Sequence, residues 1–215
     1  LSYRKFKLLM DINNDEYPYE LIELNYKKDN DLKDAIRNIS SKAVKAAKAG
    51  KVFIILSDRK ISKGNLPVHA LLATGAVHHA LINAGIRTRV NIIVETATAR
   101  DPHHFATLIG YGATAIFPYL AYQSISSFLN DSKEDFYIAT KNYREGINKG
   151  LFKILSKMGI STISSYRGSQ LFESVGLDQE IVDLCFCEST NRIYGTTFRD
   201  IEEDQETLAK YAWSN

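Results

Sequence analysis

The sequence predicts an α/β fold of repeated strand–helix units, arranged as an incomplete or degenerate barrel of the triosephosphate isomerase kind or, alternatively, as an open doubly wound parallel sheet. Three observations lead there. Short continuous apolar runs such as KVFIILSDR (51–59) and RTRVNIIVETA (87–97) read as strands covered on both faces, as in a parallel sheet. Between them lie segments with apolar residues at steps of three or four, each closed by a glycine. The connections are short, which suits right-handed crossovers.

YELIELNY (19–26) is the first strand expected, and Asp31 is placed to cap the helix after it, in which Leu32, Ile36, Ile39, Ala43 and Ala46 share a face up to Gly50. After KVFIILSDR, a helix begins near Asn65 and Pro67 and stops at Gly85; its Gly75 gives room for a close backbone crossing. Asp101 followed by Pro102 starts another helix, HHFATLIGYG, ended by Gly110 or Gly112, and ATAIFP is a brief strand. Asp131 and Ser132 precede a long helix that ends at Gly159, with Gly146 and Gly150 as places where it could split or bend. ISTISSY (160–166) is expected as a fifth strand and QLFESVG (170–176) as a short helix, leaving FRDIEEDQETLAKYA as a charged tail outside the core.

At 215 residues and 45% hydrophobic, the chain is long enough for one α/β domain with a substantial core. Twenty-seven basic against 25 acidic residues leave a formal charge of +2, too little to recruit nucleic acid or an anionic membrane surface. No stretch approaches the roughly 20 apolar residues of a membrane span, and the two cysteines, Cys185 and Cys187, fit a reducing compartment: cytoplasm, or a plastid or other organelle matrix. With Leu in first place, the sequence reads as a piece of something longer.

In parallel folds, ligands gather at the carboxyl ends of the strands. The polar residues expected there are Ser57, Asp58 and Arg59, Glu95 and Arg100, and Ser164, Ser165 and Arg167. They could form a substrate or phosphate site; solvated ion pairs that tie loops together are the more ordinary use of such residues. Gly168 and Ser169 offer amides for a weak anion site, but neither a dinucleotide fingerprint nor a P-loop is present. The adjacent pairs His78–His79 and His103–His104 point about 100° apart on a helix and do not chelate one metal, so neutral histidines bonded to backbone or carboxylate are expected. Cys185 and Cys187 read as inert thiols.

ILSDR at 55–59, LPVHALLATGAVHHALINAGIRTRVNIIVETATARDPHHFATLIGYGATAIFPYLAY at 66–122 and NKGLFKILSKMGISTISSYRGSQLFESVGL at 148–177 together resemble the central domain of the glutamate synthase large (alpha) subunit. The resemblance runs from about 51 to 197, with residues 1–50 a preceding βα unit and 198–215 a tail leading toward an FMN-binding domain. It implies glutamate biosynthesis and nitrogen assimilation: reductive conversion of glutamine and 2-oxoglutarate to two glutamates by an oxidoreductase that carries FMN and an iron–sulfur cluster. In that family the central domain has no cofactor of its own; it joins the glutaminase and FMN-binding domains of the same polypeptide and helps wall an ammonia passage. The electron source is an NADPH-oxidising small subunit or ferredoxin. The resemblance carries over no catalytic, cofactor-binding or metal-binding residue; Asp58, Arg59, Glu95, Arg100, Ser165 and Arg167 remain as a polar cluster expected at the strand ends. The competing expectation is a stand-alone barrel enzyme or phosphate-ligand binder using Asp58, Glu95, Arg100 and Arg167.

Overall fold

A computed structural model describes residues 1–12, 16–129 and 132–214. Helix α1 (Tyr3–Asp11) precedes strands β1 (Tyr19–Glu23) and β2 (Asn25–Lys27) and helix α2 (Leu32–Lys48). Next come β3 (Phe53–Ser57), β4 (Asn65–Pro67), α3 (Ala70–Asn83), β5 (Asn91–Glu95), α4 (Pro102–Gly110) and β6 (Ala115–Phe117). The remaining elements are α5 (Tyr119–Ser127), α6 (Lys133–Lys157), α7 (Ile163–Tyr166), β7 (Glu173–Leu177), α8 (Gln179–Cys185), β8 (Thr190–Thr196) and α9 (Phe198–Trp213).

The main sheet is parallel, in the order β1-β3-β5-β6, with Tyr19 opposite Phe53, Phe53 opposite Asn91 and Ile93 opposite Ala115. Each new strand is added on the same side of the last, so right-handed crossovers bring α2, α3 and α4 to one face. A doubly wound sheet would reverse direction partway along. The winding is therefore that of a barrel, stopped at four strands and left open.

Alternation along each strand divides the core. Ile54, Leu56, Ile92, Val94 and Ile116 pack into the larger cluster, shared with α2, α3 and α4. Ile55, Ile93 and Phe117 face the other way, toward α1 and α5. There Phe6 stacks on Phe117 with ring centroids 4.1 Å apart, and Tyr119 and Tyr122 complete the layer. Burial on both faces explains why β3 and β5 read as unbroken apolar runs.

Asp31 and Asp101 cap α2 and α4 as expected, and Gly50, Gly85 and Gly159 hold the left-handed conformation after their helices. The expected capping role of Asp131 lies outside the described residues; Ser132 caps α6, accepting from the Asp135 amide at 3.2 Å. Helix α6 runs unbroken through Gly146 and Gly150. A Cβ on Gly75 would lie 1.9 Å from the Cys185 carbonyl oxygen, so α3 does provide the close crossing, with α8.

The sequence reading is corrected at four places. Asn65–Pro67 does not open a helix; it forms β4, antiparallel to β2, and α3 begins at Ala70 with His69 as its cap. ISTISSY is not a strand. Thr162, Ser164 and Ser165 are exposed and bond one another through their hydroxyls, and local bonds of this kind compete with a sheet ladder, leaving the single turn α7. QLFESVG is not a helix: its second half is β7, with Gly176 at φ +77°, paired in parallel with β8. Finally, FRDIEEDQETLAKYA is helix α9, opened by a reciprocal Thr197–Asp200 capping box. It is not outside the core, because Phe198 is buried, Tyr26 donates to Gln205 at 3.2 Å and the Leu32 amide donates to Glu202.

Candidate functional site at the strand ends

The carboxyl ends of β3 and β5 lie side by side, with Ser57 in register with Glu95. Glu95 is 4% exposed, and both its oxygens are taken: Ser57 Oγ donates to Oε2 at 2.6 Å and Arg59 Nε to Oε1 at 2.6 Å. The Arg59 guanidinium also lies over the Tyr119 ring, 4.4 Å from its centre.

Asp58 is equally enclosed. Its carboxylate accepts from Thr96 Oγ1 at 2.5 Å and from the Ala97 amide at 3.0 Å, with the Tyr119 hydroxyl as a further donor. Burial raises the Asp58 pKa, opposed by these hydrogen bonds, while Glu95 nearby pushes it further up. Burial and the Asp58 carboxylate likewise raise the Tyr119 hydroxyl. Main-chain bonds from Asp58 N–H to Glu95 C=O (3.2 Å) and from Thr96 N–H to Phe117 C=O (3.1 Å) complete the tie across β3, β5 and β6.

Of the six residues expected to share one edge, the structure brings together Asp58, Arg59 and Glu95. Arg100 is exposed; its amide donates to His104 Nδ1 and its carbonyl accepts from Tyr143. Ser165 sits on α7, exposed and bonded to Thr162. Arg167 stands at the opposite edge, near His78 and Arg87, where the chain enters β5 and β6. The misassigned strand at ISTISSY is what placed it wrongly.

The amides of Gly168 and Ser169 open no helix. They donate to the carbonyls of Gly110 and Tyr166 and are not free for an anion. His78 is held neutral, its pKa lowered to about 4 by burial, with Arg87, His79 and Arg167 adding to the shift. Burial pushes the Cys185 thiol up to about 12. Among the described residues, no three His, Cys, Asp or Glu side chains are grouped as metal ligands, and no helix is long and apolar enough to cross a membrane.

Sequence reasoning missed Tyr119. It follows Phe117, the last residue of β6, and Pro118, and its position two residues past a strand end was the only available signal.

Two comparisons with solved structures place the fold. An L230A mutant flavocytochrome b2 with benzoylformate superposes with a TM-score of 0.53 at 10% identity, covering 86% of this chain and 43% of that one. The recombinant flavin-binding domain of baker's yeast flavocytochrome b2 gives 0.50 at 12% identity over the same shares. This likeness is one of fold alone.

Sequence relatives are closer. Ferredoxin-dependent glutamate synthase 2 of Synechocystis is 42% identical over 188 residues, covering 80% of this chain, and the glutamate synthase [NADPH] large chain of Bacillus subtilis is 37% identical over all of it. The chain spans only 12% and 14% of those two proteins. The model of the glutamate synthase central domain matches residues 1–178, through every strand of the main sheet and as far as the end of β7. With that match over most of its length, the chain belongs to the glutamate synthase central domain family.

Proposed function

We propose that this chain is the noncatalytic central segment of a glutamate synthase large subunit. It acts as one α/β unit that joins the glutaminase and FMN-binding domains of the same polypeptide and helps wall the ammonia passage between them. The observation that carries this reading is the saturation of the strand-end network. Both carboxylates, Asp58 and Glu95, are buried and fully engaged by their own neighbours, which favours a tie between strands over acid–base chemistry on a substrate.

A flavin does not fit the inner face of the sheet, because Phe6, Phe117, Tyr119 and Tyr122 fill it and Arg59 lies across Tyr119. On this reading FMN and the iron–sulfur cluster belong to other parts of the polypeptide. Relatives named for ferredoxin, NADPH and NADH fit electron delivery to the whole enzyme by ferredoxin or by an NADPH-oxidising small subunit. The setting is the cytoplasm or an organelle matrix, and one relative is the chloroplastic/mitochondrial enzyme of Arabidopsis thaliana.

The test is to mix the purified chain with excess FMN, separate free flavin by gel filtration, and assay the protein for glutaminase and synthase turnover. The expected result is no flavin absorbance in the protein peak and no turnover. Stoichiometric flavin, or conversion of glutamine, would overturn the reading in favour of a self-sufficient enzyme.

A further inference from the structure

Three connections meet at the carboxyl edge of the main sheet and bound a cavity of about 380 Å³. His69 comes from the link between β4 and α3, Arg100 from the loop after β5 and His104 from the first turn of α4. Leu71, Leu108 and Leu120 give the wall its apolar part. Edges of this kind are where parallel α/β folds receive ligands. The cavity lies beside the Asp58–Glu95 network and shares none of its charged side chains.

Its polar wall is rich in donors. His69 Nδ1 accepts the Leu71 amide proton and His104 Nδ1 that of Arg100, each at 3.2 Å, so both rings carry a proton on Nε2. Burial lowers the His69 pKa and the nearby His104 lowers it further, although solvent reaches the ring, as it does in a concavity. The Arg100 guanidinium has no hydrogen-bond or ion-pair partner among the described residues. None of the described residues lining the cavity is a carboxylate. Asp101 is on the Nδ1 side of His104: its Oδ1 accepts from the His103 and His104 amides, and its Oδ2 is 3.4 Å from that nitrogen.

A free guanidinium and two imidazole N–H groups, with no acid among them and leucines beside them, suit a ligand that is negative and acceptor-only at one end and apolar at the other. We propose that this cavity binds a small organic oxyanion, a carboxylate or phosphate monoester, received by Arg100 with His69 and His104 as further donors and with its carbon body against Leu71, Leu108 and Leu120. The site does not depend on the proposed function. The flavin and glutamine assays test one, and anion binding tests the other.

The experiment titrates the 215-residue chain with benzoate and, separately, with phenyl phosphate, at constant ionic strength set by chloride, with benzamide as the uncharged control. It follows the melting temperature and the NMR signals of the His69 and His104 rings. A saturable response that moves both ring signals is expected with at least one anion, weakened about tenfold in Arg100→Gln, as loss of one charge-assisted bond requires. Arg100 is exposed, so this variant should fold. A response to phenyl phosphate alone assigns a phosphate monoester; a response to benzoate assigns a carboxylate. Absence of saturation with both anions, equal affinity for benzamide, unmoved ring signals, or wild-type affinity in Arg100→Gln would overturn the site.

Discussion

Glu95 is where a single side chain tells most about this chain. Its two bonds join β3 to β5, but Arg59 is 42% exposed, so solvent screens part of the ion pair. Glu95→Gln should therefore cost about 1–2 kcal/mol, measured by urea unfolding. An unchanged midpoint would show that the network does not hold the strand ends. His78 gives a prediction in pH. Its folded pKa of about 4 lies below the ordinary value, so the unfolded chain takes up the proton first. The stability it contributes is full above about 6.5 and is lost as the pH falls toward 4, amounting to up to about 2 kcal/mol after allowing for partial solvent access. Imidazole NMR signals of His78 that titrate near 6.5 would contradict this. At this scale the sequence indicated which residues end β3 and β5, because those runs are unbroken. It could not indicate that Thr96 and Tyr119 would serve Asp58, since such partners are chosen by strand register and by the start of the helix that follows a third strand.

Between elements, the two glycines of α6 separate intrinsic propensity from packing. A Cβ on Gly146 would meet nothing within 4 Å, whereas one on Gly150 would lie 2.3 Å from Pro102 Cγ, where α6 crosses the start of α4. Gly146→Ala should stabilise by about 0.5–1 kcal/mol through helix propensity, and Gly150→Ala should destabilise by about 1–3 kcal/mol through overpacking. Thermal melts of the two variants check the pair; shifts in the same direction would mean that the crossing is looser than described. The sequence placed both glycines on one continuous apolar pattern, yet nothing in it distinguishes a glycine facing solvent from one facing a neighbouring helix. Among the elements read correctly, β3, β5, β6, α2 and α4 are buried along a face, whereas α6 was read from its long periodicity although most of it is exposed; the expected strand 19–26 is divided into β1 and β2, which lie in different sheets. Of those misread, β4, α7 and β7 are short, and α7 and β7 are largely exposed, so no burial pattern marks them. Helix α9 was hidden differently: its charged surface resembles a solvated tail, and it is tied down by Phe198 and by polar contacts from Tyr26 and Leu32 that are distant in sequence.

Across the whole molecule, the winding is that of half a barrel, with α1 and α5 covering the face that closure would otherwise seal. Helices α8 and α9 touch the β7–β8 ladder but, among the described residues, leave part of it uncovered. Parallel strands are normally buried on both faces, and two strands alone are marginal in water, yet here Val175, Ile193 and Tyr194 are each 60% exposed or more. Leu208 and Tyr211 on the neighbouring α9 are also exposed. If the chain is a linking segment, this surface is covered by an adjoining part of the large subunit, and the ladder draws much of its stability from that contact. Hydrogen exchange distinguishes the two situations. In the chain alone, β7 and β8 amides should exchange well before those of β3 and β5, whose strands open only with the core. In the full-length subunit the β8 amides should become markedly slower while β3 and β5 change little. Slow β8 exchange in the chain alone would mean that the ladder is stable uncovered, and its apolar face would then no longer support a role between domains.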